Sequence, residues 1–348
     1  DAQQIGLFKR LSGTVRNLTV AGRFESVRSD DSEIHLGAFA AETDNAAIEN
    51  CTNRAEIVVA DAADVTPRTM ILSGFVGKAF NGVTLRNCRN TGNISFSSPA
   101  LYMIGGFVGA VQEDDGLYTI ADCHNTADFD NAGSNSGWNF MGGIAGKTIS
   151  RQLVPGETSN YRLIVEECSS TGTISIAGPS KVRASGIVAQ TQGAYRISGC
   201  TFSGAIESTD ATKRDVVIGG IMAMADKECV GLVEGCTFSG RISAAQAGAN
   251  NFFGGIYGNN GGAASVVNDC RTTASAYVGC PIGKSGMLAG RPNKKGFTVS
   301  NCRIAGTVTN KQGAAVVITA DNLEDWMFAG YGTSVAVTLK NNGYNDGK

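Results

Sequence analysis

The sequence predicts an all-β fold: a single-domain parallel β-helix, or β-solenoid, of about nine coils with three short strands per coil. Three observations carry that expectation. Cysteines recur at one motif position, Cys51, Cys88, Cys123, Cys168, Cys200, Cys236, Cys270 and Cys302, at steps of 37, 35, 45, 32, 36, 34 and 32 residues. Spacing of this size marks one supersecondary unit repeated along a chain. A glycine-apolar block accompanies the cysteines, as in Gly105-Gly106-Phe107-Val108-Gly109 and Gly142-Gly143-Ile144-Ala145-Gly146. Helical periodicity is absent from these blocks, whereas short apolar runs bounded by glycine suit buried strands. Such strands cannot bury a face alone and become stable when coils stack into parallel ladders. At ~4.8 Å per coil, nine coils make a rod about 45 Å long, expected to be right-handed like most parallel β connections.

Along the chain, Gly6-Leu7-Phe8 and Val15-Arg16-Asn17-Leu18 have the shape of the repeat with Leu18 in the cysteine position, which marks that slot as apolar. Three residues before each slot stands an aliphatic side chain, from Val15 and Ile48 through Leu85 and Ile120 to Val299. Six residues after it comes a second apolar position, from Phe24 through Ile94 and Ile174 to Val308, small only at Ala276. The motif therefore reads as two short strands around a bend, with Gly92, Gly172, Gly204, Gly240 and Gly306 where the chain turns. The glycine block supplies the third strand. Twenty-five residues separate Gly143 from Cys168, against 14 between Gly74 and Cys88, which places an insertion over Lys147 to Arg162. Glu113 to Gly116 fills the corresponding loop of the preceding coil, so the two loops are expected to be neighbours that carry binding. After Cys270 the usual glycine is missing, marking an irregular coil. Residues 1–310 are assigned to the β-helix and 311–348 to a C-terminal capping segment, in which Trp326 plugs the open end.

Composition narrows the function classes. The formal charge is -2, from 29 basic and 31 acidic residues, so neither nucleic acid nor anionic lipid is an expected partner. No run approaches the ~20 apolar residues of a membrane span, so no membrane insertion is expected. Asp1-Ala2-Gln3-Gln4 is not a secretory leader, and the numbering is expected to begin after any targeting segment or within a longer chain. The slot cysteines read as stacked, buried, reduced thiols acting as apolar residues. Disulfides between coils and metal binding are the lesser alternatives, because parallel neighbours ~5 Å apart meet the distance a disulfide needs but seldom its side-chain direction. With no CxxC, CxxH or HExxH, and His35 and His124 the only histidines, no metal and no cofactor are expected. Cys229 and Cys280 lie outside the ladder with their pairing undecided. The leucine-rich repeat, the nearest rival solenoid, has too short a period, and the calcium nonapeptide, GxxxxGK[ST] and GxSxG are absent.

Leu85-Arg86-Asn87-Cys88-Arg89-Asn90-Thr91-Gly92-Asn93-Ile94 with Gly105-Gly106-Phe107-Val108-Gly109, and the variant at Gly6 to Gly22, resemble the GLUG-motif family of bacterial surface and secreted proteins over roughly residues 5 to 310. The resemblance implies a β-helix-like solenoid in adhesin-like extracellular proteins, where the repeats are usually not the catalytic part. It also implies a Gram-negative, Bacteroides-like source and an extracellular or outer-membrane surface location. The function expected is a non-enzymatic, monomeric module that binds glycan or host extracellular protein. A carbohydrate-active polysaccharide lyase or hydrolase and a plain structural spacer are the alternatives.

Three residues are candidate ligand contacts: Trp138, Asp122 and Glu167. Asp122 and Glu167 immediately precede ladder cysteines in neighbouring coils, and in-register stacking would put them ~5 Å apart, the carboxylate separation of a retaining glycosidase. The same column holds Asn50, Asn87, Gly199, Gly235, Asp269 and Asn301, so a variable solvated face is the plainer reading. A lyase would also want a base, and Lys147 and Arg162 serve only if the insertion folds back. Trp138 offers an indole for stacking on a sugar ring, though its spacing from Phe140 favours both turning into the core. Phe202 and Phe238 read as an internal aromatic stack.

Overall fold

The computed structural model describes residues 3–28, 32–61, 68–112, 114–133, 137–149, 161–177, 181–209, 215–226, 229–245, 251–260, 265–278, 285–291, 297–310, 314–323 and 337–346. These form a β-solenoid with four sheets, here I to IV, of nine, sixteen, ten and ten strands. Among the described residues the coil-to-coil pairings are parallel, and one pair is antiparallel: Ala315–Ile318 folds back onto Gly306–Asn310 at the C-terminal end. Val337–Lys340 and Gly343–Tyr344 then add a partial tenth rank to sheets II and III, so the coil count differs slightly from the expected nine. Trp326 lies outside the described residues, as do Cys280, Glu113 and residues 150–160 of the insertion.

A coil contains more strands than the three expected. The chain runs through Leu101–Gly105 in sheet I, Val108–Val111 and Tyr118–Ala121 in sheet II, His124–Asn125 in sheet III and Phe129–Asn131 in sheet IV. The glycine block accounts for the difference, because it is an elbow between two strands. A Cβ on Gly105 would overlap the Val108 carbonyl oxygen, and one on Gly106 the Gly143 carbonyl oxygen of the next coil. Only glycine lets backbone pack this closely. A second bend precedes each cysteine slot. There Asn17, Asn50, Asn87, Asp122, Glu167, Gly199, Gly235, Asp269, Asn301 and Asn341 all have positive φ, between 49° and 62°. Glycine, asparagine and aspartate adopt this left-handed conformation most readily, so the column expected as variable and solvated is selected by its backbone. Glu167 is its one ill-suited member.

The core is built from columns of like residues. All eight ladder cysteines are buried and carry no disulfide. Their thiols donate to backbone carbonyls, Cys88 Sγ to Ile48 O at 3.4 Å and Cys168 Sγ to Ile120 O at 3.4 Å. Asn342 stands in the slot of the tenth rank, where its amide donates to Val299 O at 3.0 Å and accepts from Cys302 N at 2.9 Å. Cys229 is buried outside the ladder and donates to Thr191 O at 3.5 Å. Two residues after the slots, buried Asn53, Asn90 and Asn125 form an amide ladder with 2.8 Å bonds from Asn53 to Asn90 and from Asn90 to Asn125. The same column continues with Phe202 and Phe238, stacked at 5.5 Å and 8° as the sequence suggested.

Candidate functional site

The glycine elbows fold sheet I toward the first half of sheet II, and outward side chains seven residues apart across each elbow meet in a groove along the solenoid axis. His35 Nδ1 lies 2.8 Å from Glu42 Oε1, Lys147 Nζ lies 5.2 Å from the Phe140 ring centre, and Arg183 donates to Gln190 Oε1. Parallel register continues each wall: Phe140, Arg183, Val217 and Phe252 succeed one another on sheet I. Lys147, Gln190, Met224, Asn259 and Arg291 succeed one another on sheet II.

In the N-terminal half of the groove the polar groups contact one another. Glu33 Oε2 sits 3.3 Å from His35 Nε2, and this contact holds the Glu33 carboxyl below its ordinary pKa. Burial works against ionisation of Glu42, yet hydrogen bonds from Gln4 and His35 keep its pKa below the usual value. Arg10 pairs with Asp44 at 2.7 Å.

The C-terminal half combines aromatic rings with cations. The Arg183 guanidinium carbon lies 4.2 Å from the Trp138 ring centre and 5.5 Å from that of Phe140. Lys181 approaches Trp138 at 5.8 Å, and Arg291 approaches Phe252 at 5.1 Å. Cations over ring faces at such distances are attracted by the ring quadrupole. Burial pushes the Arg183 guanidinium down to about 10, and burial, reinforced by Arg183, lowers Lys147. Two acids balance part of this charge. Asp215 pairs with Lys181 at 3.7 Å, and Asp226 accepts from Gln190 and Gln192 at 3.0 and 2.5 Å. Arg183 Nε and Asn259 Oδ1 are buried with no hydrogen-bond partner. A cavity of about 310 Å³ opens here, bounded by Trp138, Arg183, Met224, Phe252, Asn259 and Arg291. A larger trough of about 520 Å³ on the outer face of sheet IV is lined by Glu56, Asn93, Asp128 and Asp130. It is acidic and has no aromatic ring in its lining, and within it Asp128 Oδ1 accepts from Thr173 N at 2.7 Å and Asn93 Oδ1 from Asp128 N at 2.9 Å.

Trp138 does not turn into the core, contrary to the spacing argument, and Phe140 is buried but against Lys147 and Arg183 and not in the main core cluster. Alternation along Trp138–Gly142 points Asn139 and Met141 inward and leaves Trp138 half-buried in the groove. Asn139 fixes this orientation, accepting from Tyr102 N at 3.0 Å and donating to Lys181 O at 3.2 Å on the two flanking coils. Asp122 and Glu167 do occupy stacked positions, but their carboxylates diverge. Asp122 reaches back to Arg86 at 3.8 Å in the preceding coil, whereas the Glu167 carboxylate lies over Gly199 in the following one. His124 Nδ1 is 2.8 Å from Ser169 Oγ. Arg162 donates to Asp115 O at 3.2 Å, which brings the ends of the two expected loops together. Lys147 belongs to the groove and Arg162 to that loop contact.

Among the described residues no group of three or more His, Cys, Asp or Glu side chains is arranged to hold a metal, and no helix is long and apolar enough to cross a membrane. Comparison with protein-family models, with curated proteins and with solved structures finds no match.

Proposed function

We propose that this β-solenoid is a non-enzymatic, adhesin-like binding module that holds a glycan or an extracellular protein in its elbow groove. The observation that supports this most is the clustering of Trp138, Phe140 and Phe252 with Lys147, Lys181, Arg183 and Arg291 along one groove. Ring faces and desolvated cations are the usual anchors of a recognition surface. The GLUG-like repeats extend the reading to a monomeric protein displayed on, or secreted from, a Gram-negative, Bacteroides-like cell, with no nucleic-acid partner and no membrane insertion.

The carbohydrate-active enzyme is the weaker reading, because glycoside hydrolysis needs two carboxylates converging on one bond and those of Asp122 and Glu167 point apart along the axis. A glycan and matrix-protein array probed with the purified chain, with Trp138→Ala and with Phe252→Ala tests the proposal. Selective retention that both substitutions weaken is the expected result. Retention of nothing would replace the binding module with a spacer.

A further inference from the structure

The chemistry of the groove's C-terminal half also restricts its ligand, an inference that rests on the groove being the binding surface. We propose that it takes a linear anionic polysaccharide bearing carboxylates on alternate sugars, laid along the solenoid axis with its charges on Arg183 and Arg291.

Charge is the first reason. Among the described residues, Lys147, Lys181, Arg183 and Arg291 face the acids Asp215 and Asp226, of which Asp215 lines the cavity itself, so cations outnumber acids by two in a chain whose net charge is -2. The N-terminal half of the same groove pairs its charges internally. Spacing is the second. Arg183 and Arg291 stand three coils apart in the parallel ladders, which is ~14 Å along the axis. That separation is too long for anions on adjacent sugars and suits anions on alternate ones once the two side chains lean together. The third is what lies between them. Val217, Ala223 and Phe252 form a small apolar cluster of their own with Met224 against it, outside the main core. Val217, Ala223 and Phe252 are buried and Met224 is the partly exposed member, the apolar contact for the C–H face of a sugar ring, and the buried, unpartnered Asn259 Oδ1 is an acceptor for a hydroxyl beside it.

An acidic peptide is the rival ligand with the same charge. Peptides held in extended form are read through backbone hydrogen bonds to a free sheet edge. The walls of this groove are sheet faces whose backbone groups are spent in coil-to-coil ladders, so only side chains are on offer. A sugar chain, recognised through hydroxyls, carboxylates and ring faces, fits that supply.

The probes are hyaluronan and unsulfated chondroitin octasaccharides, the same oligosaccharides with their carboxyls reduced to alcohols, and poly-L-glutamate, titrated calorimetrically against the full chain. At least one carboxylated octasaccharide should bind about tenfold or more tighter than its reduced form. Raising ionic strength should weaken it. Arg291→Gln, at an exposed position, should weaken it by about tenfold, and Arg183→Gln likewise, each with a melt to confirm folding. Equal affinity for charged and reduced sugars, indifference to Arg291→Gln, or equally tight poly-L-glutamate overturns the inference. So does failure of both octasaccharides. In that case retention of other ligands on the array would leave the binding module standing, and an empty array would remove both.

Discussion

Asn90→Ala tests whether the buried amide ladder holds the coils together. Asn90 accepts from Asn53 Nδ2 and donates to Asn125 Oδ1, both at 2.8 Å, and is fully buried. Removing its carboxamide deletes both bonds, each worth a net ~1 kcal/mol. The neighbours are not wholly orphaned, since Asn53 Nδ2 still reaches Ala55 O at 3.3 Å and Asn125 Oδ1 still accepts from Ala127 N at 3.3 Å. Adding a modest packing loss for the missing atoms gives a destabilisation of about 2–3 kcal/mol. Urea denaturation followed by far-ultraviolet circular dichroism measures it. A double-mutant cycle with Asn53→Ala should return a coupling of ~1 kcal/mol for the shared bond. A loss below ~0.5 kcal/mol with no coupling would refute the reasoning, because it would mean the amides are as well served without one another.

Other outcomes follow from the same structure. Gly106→Ala should cost about 2–3 kcal/mol by overpacking against a backbone that has no room to give. Gly235→Ala, whose new Cβ would meet only Gly199 N at 3.8 Å, should cost only the ~1 kcal/mol of a left-handed alanine, and thermal melts compare the two. Burial raises the thiols of Cys123 and Cys168 above their ordinary pKa, so mass-spectrometric mapping after iodoacetamide treatment at pH 8 should find these two unlabelled in native protein and labelled in guanidinium. Glu33 has a folded pKa held below the ordinary 4.5 by His35. Its stabilising contribution is therefore present above the unfolded value and lost as pH falls through the folded one, and Glu33→Gln should flatten that acid limb in pH-dependent melts.

The repeat made the solenoid legible because a stacked coil demands the same residue at the same place. The apolar slot, the reduced cysteine column and the Phe202–Phe238 stack could all be read from position alone. The elbow was harder, because a Gly-Gly pair inside an apolar run is compatible with one strand or with two strands meeting at a corner, and only the backbone approach at Gly105 and Gly106 decides. The column before the cysteines carried a signal that was only half read. It is the solvated face weighed against a carboxylate pair at Asp122 and Glu167, but its asparagine, aspartate and glycine content also reports positive φ. Trp138 and Phe140 drew notice in the sequence, while Lys181, Arg183, Phe252 and Arg291 went unnoticed. Their signal was a seven-residue spacing across the glycine elbow, as between Phe140 and Lys147 across Gly142-Gly143 or Arg183 and Gln190 across Ser185-Gly186. That spacing acquires meaning only once the elbow is known to bring the two strands face to face.

Whether recognition resides in the elbow groove is decided most directly by one paired measurement. A ligand retained on the array is titrated against the unaltered chain, against Trp138→Ala, and against the double variant Asp122→Asn with Glu167→Gln. The groove account predicts that Trp138→Ala weakens binding about tenfold or more, the scale of a lost aromatic stacking contact, while the double variant binds like the unaltered chain. Loss of binding in the double variant with Trp138→Ala unchanged would contradict it and return the site to the carboxylates.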